Sequence, residues 1–128
     1  TLRRRVPAGK GGTEFQTVVA ARIEELYREP KPAVRISREL KLNHKYFLAK
    51  FASLFGVSFV DYLSDLRLER AALRLRETDE QIVSVAFAVG FTSHQHFGRA
   101  FKRRYHISPA GYRRSTMAKS SAADMVKS

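Results

Sequence analysis

The side chains that could do chemistry are concentrated between residues 94 and 104: His94, Gln95, His96, Arg99, Lys102, Arg103 and Arg104. Arginine forks onto O6 and N7 of guanine, glutamine pairs in bidentate fashion with adenine, and lysine or arginine on a rim neutralises phosphate. On a helical wheel of about 100° per residue, Phe97, Ala100, Phe101 and Tyr105 fall on one side. Gln95, His96, Arg99, Lys102 and Arg103 fall opposite. An earlier segment, 44–55, has the same grammar, with Phe47, Leu48, Phe51, Leu54 and Phe55 inward. Lys45, Tyr46, Ala49 and Ser53 face outward there, and Lys50 lies at the margin. Its outer face offers a tyrosine, lysines and an alanine small enough to touch a thymine methyl. The candidate base readers are therefore Lys45, Tyr46, Ala49, Lys50, His94, Gln95, His96 and Arg99. The candidate phosphate ligands are Lys102, Arg103, Arg104 and Arg113.

Other chemistries find little support. The chain has no cysteine, which excludes a disulfide scaffold, a cysteine nucleophile and any Cys-based metal centre. Four histidines, His44, His94, His96 and His106, include no pair at i, i+4 spacing, so no metal site is expected. A glycine-rich phosphate loop, paired carboxylates in an apolar setting and a nucleophile with a base at motif spacing are all missing. Neither an enzyme nor a cofactor is expected. Arg67, beside Asp65 and Glu69 in mid-helix, reads as structural or solvated rather than as a ligand.

Charge points the same way as the motifs. The chain carries 24 Lys+Arg against 12 Asp+Glu, a net +12 over 128 residues, with pI near 10.6. Eleven of the acids lie between Glu14 and Glu80, whereas Gln81–Ala123 holds none and seven basic residues. A second acid-free window, Leu40–Val60, holds Lys41, Lys45 and Lys50. A phosphate backbone repels carboxylates, so two cleared windows suit a two-point nucleic-acid footprint. No apolar run approaches the roughly 18 residues of a membrane span. The apolar stripes are needed for packing and leave no spare face for a lipid surface. The alternative is a helical module that binds nucleic acid or other polyanions without sequence preference.

Helical periods run through most of the chain. Residues 1–12, with Arg3-Arg4-Arg5 and three glycines, read as a flexible basic linker, and 115–128 as a disordered tail. The chain begins with Thr, which suggests a fragment lacking an upstream domain. Thr13-x-x-Gln16 reads as a capping box for a first helix with an inward stripe of Phe15, Val18, Val19, Ile23 and Leu26, stopped by Pro30. A short helix at about 33–40 follows. Asn43 caps the next, which Gly56 ends. Ser58-x-x-Asp61 opens a long linker helix to about Arg76, some 28 Å at about 1.5 Å per residue. Thr78-x-x-Gln81 reads as a further capping box, for a helix that Gly90 ends. Thr92 or Ser93 caps a helix to Tyr105, and Ser108-Pro109 starts the last.

These helices contain a repeat. At an offset of fifty, Phe47, Phe51, Phe55, Val57, Ser58 and Tyr62 match Phe97, Phe101, Tyr105, Ile107, Ser108 and Tyr112. Upstream the offset is 49, pairing Ile36, Leu40, Lys41 and Leu42 with Val85, Val89, Gly90 and Phe91. Each unit is a short helix, a tight turn and a longer helix with an aromatic spine, which is helix-turn-helix grammar. The fold expected is all-α, seven helices in two helix-turn-helix subdomains, 13–57 and 77–114, joined by the linker helix 58–76.

Val34–Arg114 resembles the DNA-binding domain of AraC/XylS-type transcription regulators. The matching residues are Tyr46-Phe47-Leu48-Ala49-Lys50-Phe51, Gly56-Val57-Ser58-Phe59, Tyr62 and Arg67-Leu68-x-x-Ala71. A longer block follows: Ile82-x-x-Val85-Ala86-x-x-Val89-Gly90-Phe91-x-Ser93-x-x-x-Phe97-x-Arg99-x-Phe101-Lys102, then Ile107-Ser108-Pro109 and Tyr112-Arg113. The resemblance implies double-stranded DNA as partner, RNA polymerase contact, transcriptional activation and a bacterial cytoplasmic location. It also implies, for many members, a separate N-terminal domain that senses a ligand and dimerises. Base-reading positions carry over to Lys45, Leu48 and Ala49, and to His94, Gln95 and Arg99. The family usually has Arg where Ala49 stands and an apolar residue at Lys50. Two registers of the first reading helix therefore stand open, one with Ala49 and one with Lys50 as reader. Lys41 and His106 occupy positions where the family usually places glycine, and Ser37 replaces a small Ala.

Overall fold

Seven α-helices follow one another in the computed structural model, which describes residues 13–117: α1 (Thr13–Leu26), α2 (Pro32–Glu39), α3 (His44–Phe55), α4 (Phe59–Glu77), α5 (Ile82–Ala88), α6 (His94–Tyr105) and α7 (109–117). Every regular element among these residues is helical. The chain forms two compact units that divide between Leu66 and Arg67, inside α4. The expectations for the basic linker and for residues 118–128 lie outside the described residues, and α7 runs to 117, beyond the boundary expected at Arg114.

In the first unit Pro32 opens α2 at a position where its missing N–H costs nothing. The helix closes in a Schellman arrangement: Leu42 N–H donates to Ser37 O (2.9 Å) and Lys41 N–H to Arg38 O (3.0 Å), with Lys41 at φ 57°. The Asn43 side chain accepts from Tyr46 N at 3.2 Å and starts α3. Gly56, at φ 76°, ends it by donating to Ala52 O. Ser58 Oγ then accepts from Asp61 N (3.1 Å) and starts α4. The core is aromatic. Phe47 and Phe51 are fully buried, Phe51 stacks on Phe55 at 4.0 Å, and Tyr62 meets Phe51 edge-on at 5.4 Å. Each such pair adds about 0.5–1.5 kcal/mol to the area buried. Val19, Ile23, Leu26 and Ile36 complete the core.

The second unit repeats these bonds with other residues. Phe91 N–H donates to Ala86 O (3.0 Å) and Gly90 N–H to Phe87 O (3.1 Å), closing α5 as α2 is closed. Ser93, not Thr92, caps α6 by accepting from His96 N at 3.1 Å. His106, at φ 65°, ends α6 with a bond to Lys102 O. Ser108 Oγ accepts from Gly111 N (3.0 Å) to start α7. Phe97 and Phe101 are fully buried, and Tyr112 meets Phe101 edge-on at 5.4 Å. Val85, Val89, Leu75 and Ala71 fill the rest.

Three local expectations are corrected. Gln16 does not turn back on its helix start; it is buried and donates through Nε2 to Leu54 O at 2.8 Å. Val18 is 41% exposed and outside the stripe, which uses Val19, Ile23 and Leu26 instead. Thr78 does not cap α5. Its hydroxyl donates to Arg74 O (2.8 Å) and accepts from Glu80 N (3.2 Å), while Gln81 stands at the N-cap without a side-chain bond. Thr78 thus belongs to the C-terminus of α4.

Candidate nucleic-acid interface

The outer faces of α3 and α6 carry most of the expected readers. In α3, Lys45, Tyr46 and Ala49 are exposed, Tyr46 by 55%. Phe47 is fully buried and Leu48 half-buried, which sets the rotation of the helix with Ala49 outward. Lys50 is half-buried, its Nζ 4.6 Å from the centroid of the Phe15 ring and 5.9 Å from that of Tyr46. A cation over an aromatic face is held by the ring quadrupole, so the Lys50 charge sits at the margin of the face.

In α6, His94, Gln95, His96, Arg99, Lys102 and Arg103 are all exposed. Gln95, Arg99 and Lys102 are spaced i, i+4, i+7 and form one row along the helix. His96 meets the Phe91 ring edge-on at 5.6 Å, which fixes one side of its imidazole. Beside the row lies a shallow open cleft of about 450 Å³ lined by His94, Gln95, Gly98, Arg99, Lys102, Ser108 and Pro109. Gly98, Ser108 and Pro109 line this cleft and are not among the candidates legible in the sequence. The available signal was a glycine inside a helical pattern, which has a cost and so needs a reason.

Two expected phosphate ligands are turned to the protein. Arg113 is half-buried and donates from Nε to Leu75 O (3.1 Å) and from Nη1 to Glu80 O (2.6 Å). One of these carbonyls ends α4, where a cation is favoured by the helix dipole. Arg104 reaches Glu69, with Nη2 at 3.5 Å from Oε2, and lies 5.2 Å from the Tyr105 ring centroid. Tyr105 itself is half-buried, and that burial pushes its phenol pKa up. Arg67 is likewise half-buried, which lowers its pKa. Lys102 and Arg103 are exposed at the C-terminal end of α6, as is Arg114 in α7.

Electrostatically, both faces are one-signed: neither α3 nor α6 contains an acidic residue. Among the described residues no group of three or more His, Asp or Glu side chains is clustered to hold a metal. No single described helix is long and apolar enough to cross a membrane.

Comparison with known proteins agrees with this geometry. A family model described as a helix-turn-helix domain matches residues 36–115. The transcriptional regulator MtrA of Neisseria gonorrhoeae is 40% identical over 73 residues, covering 57% of this chain and 24% of that protein. The chain thus spans about a quarter of that relative's length. Among solved structures, the C-terminal domain of the two-component response regulator yesN from Fusobacterium nucleatum has TM-score 0.74 and 33% identity, over 78% of this chain and 98% of that one. The DNA-binding domain of the transcriptional factor AdpA, solved in complex with a target DNA, has TM-score 0.75 and 26% identity, over 80% and 93% of the two chains. The chain belongs to the AraC-type helix-turn-helix family of DNA-binding transcriptional regulators.

Proposed function

We propose that the chain reads double-stranded DNA in a sequence-specific manner, placing α3 and α6 in successive major grooves. The observation that carries this reading is the acid-free outer row of Gln95, Arg99 and Lys102 on α6, matched by a second acid-free face on α3. Arg99 takes a guanine edge and Gln95 an adenine edge, the pairings their donor and acceptor geometry favours. His94 and His96 flank them, and Lys102 and Arg103 neutralise phosphate. In α3, Lys45 and Tyr46 supply polar contacts and Ala49 meets a thymine methyl. Lys50, held over Phe15, supports Ala49 rather than Lys50 as the reader.

The full-length protein then acts at promoters as a regulator, most simply an activator in contact with RNA polymerase. Because the 73 matched residues make up only 24% of that relative, a separate ligand-sensing or dimerisation domain accompanies this one. A bacterial cytoplasm is the corresponding location. The test is selection of bound duplexes from a random pool, followed by anisotropy with the selected duplex, random duplex, single-stranded RNA and anionic vesicles in parallel. A recovered consensus bound well above random DNA supports the reading. Equal binding to every polyanion would leave only the non-specific alternative, for which the net charge of +12 is sufficient.

A further inference from the structure

Gly98 sits in the interior of α6, one residue before Arg99. Glycine there weakens a helix relative to alanine, because its backbone has more freedom to lose. Nothing inside the fold asks for it. Its φ is not in the left-handed region, and a Cβ built on it meets no atom within 4 Å. The contrast with two other glycines is direct: Gly56 is at φ 76°, and a Cβ on Gly111 would lie 2.9 Å from Ile107 Cγ1. Fifty residues earlier, the position equivalent to Gly98 holds Leu48, which is half-buried.

The missing side chain opens the cleft between α6 and the start of α7. Half-buried Gly98 and buried Pro109 line it, and the exposed His94, Gln95, Arg99, Lys102 and Ser108 form its rim. Ser108 Oγ accepts from Gly111 N, which leaves its O–H free to donate outward. No acid occurs from Gln81 to Ala123, so the rim is complementary to an anion. We propose that this cleft seats a sugar–phosphate segment of one DNA strand, and that Gly98 sets how deeply α6 docks. The deoxyribose lies against the glycine and proline, and its phosphate faces Lys102 and Ser108. The inference rests on the DNA-binding reading above. Glycine stands here despite its helical cost because close approach of a ligand to backbone requires it.

The test uses the 128-residue chain and the duplex recovered by selection. Gly98→Ala should raise the melting temperature by about 2–5 °C while weakening binding about tenfold, since a raised helix withdraws Arg99 from its base. Gly98→Leu, which restores the residue of the first unit, should weaken binding about a hundredfold. A neutral methylphosphonate at the phosphate facing the cleft should weaken the parent protein yet leave Gly98→Leu unchanged. If both variants bind like the parent while Arg99→Ala loses affinity, the role of Gly98 is overturned and the reading of α6 survives. If Arg99→Ala is also silent, α6 is not the reader and both fail. If uracil in place of thymine, rather than methylphosphonate, abolishes the difference, the cleft holds a base methyl and the backbone assignment is overturned.

Discussion

His106 ends α6 at φ 65°, and Gly56, fifty residues earlier, ends α3 at φ 76°. The two residues make the same bond, from their own N–H to the carbonyl four residues back. The same conformation therefore holds a β-carbon in one unit and none in the other. A left-handed non-glycine residue costs roughly 1–2 kcal/mol, partly offset by the lower entropy of its unfolded chain. His106→Gly should therefore stabilise the protein by about 0.5–1 kcal/mol. Lys41, at φ 57° where its counterpart is Gly90, should respond to Lys41→Gly in the same way. Urea denaturation measures both. A loss of stability in either variant would show that the side chain contributes more than the strain it carries.

Arg113 gives a prediction of opposite sign. Its two bonds, to Leu75 O and Glu80 O, join α7 to the end of α4 and the start of the α5 segment. Hydrogen bonds that involve a charged group are worth about 1.5–3 kcal/mol each, net of the exchange with water. Arg113→Ala should cost about 2–3 kcal/mol of stability and leave the salt dependence of DNA binding unchanged. A normal denaturation midpoint with a shallower salt slope would return Arg113 to the phosphate backbone.

These cases show what the sequence could convey. Asn43, Ser58 and Ser108 are legible as caps, and Ser93 as one of two candidates beside Thr92, because each side chain bonds an N–H three residues on, a purely local act. The aromatic spines were legible because their period is that of the helix. Gln16 and Thr78 fit the same capping pattern and were misread. Gln16 finds its partner at Leu54, 38 residues away, and Thr78 bonds backward to Arg74. Arg113 read as a surface cation for the same reason: its acceptors are carbonyls 38 and 33 residues distant. Outward faces were legible from the wheel, but which cations on them are already engaged was not.

A pH effect follows from the ion pairs around Glu39. Arg22 grips this carboxylate with two bonds, 2.8 and 2.7 Å, and Arg35 adds one at 3.3 Å. The hydrogen bond from Arg22, ahead of the other causes, lowers the Glu39 pKa. A carboxyl whose pKa is depressed by folding stabilises the native state above its ordinary titration range. That contribution disappears as pH falls through the depressed value. Glu39→Gln should therefore lower the melting temperature slightly at pH 7, because the group is exposed and screened. The gap should close in strong acid. A gap that persists below the carboxylate range would assign it to packing.

The two reading faces should differ in what mutation reveals. Arg99→Ala should cost about 1–3 kcal/mol on the selected duplex and less on random DNA, and Gln95→Ala should act at a different base pair. Ala49→Ser should be nearly silent. Lys50→Ala should cost about 0.5–1 kcal/mol of stability through the lost contact with Phe15, with little change of sequence preference. Selection repeated with each variant gives the comparison. A relaxed consensus for Lys50→Ala would restore Lys50 as the reader of the first unit.

The salt dependence of binding follows from which cations are free to meet phosphate. With Arg113 bonded to two carbonyls, Arg104 against Glu69 and Lys50 over Phe15, the exposed cations of α3, α6 and α7 are Lys45, Arg99, Lys102, Arg103 and Arg114. If Arg99 reads a base and the other four meet phosphate, the slope of log K against log[salt] should be about −3.6, at roughly −0.9 per contact. Lys102→Ala should reduce it by about one unit and weaken all sequences alike, whereas Arg99→Ala should chiefly alter preference. Footprinting supplies the geometric half of the test: a monomer reading two successive grooves should protect about 20 base pairs of an asymmetric site. A slope shallower than about −2 would mean that the basic faces do not meet the DNA backbone, and the two-groove arrangement would have to be abandoned. A steep slope with no consensus would favour the non-specific polyanion reading instead.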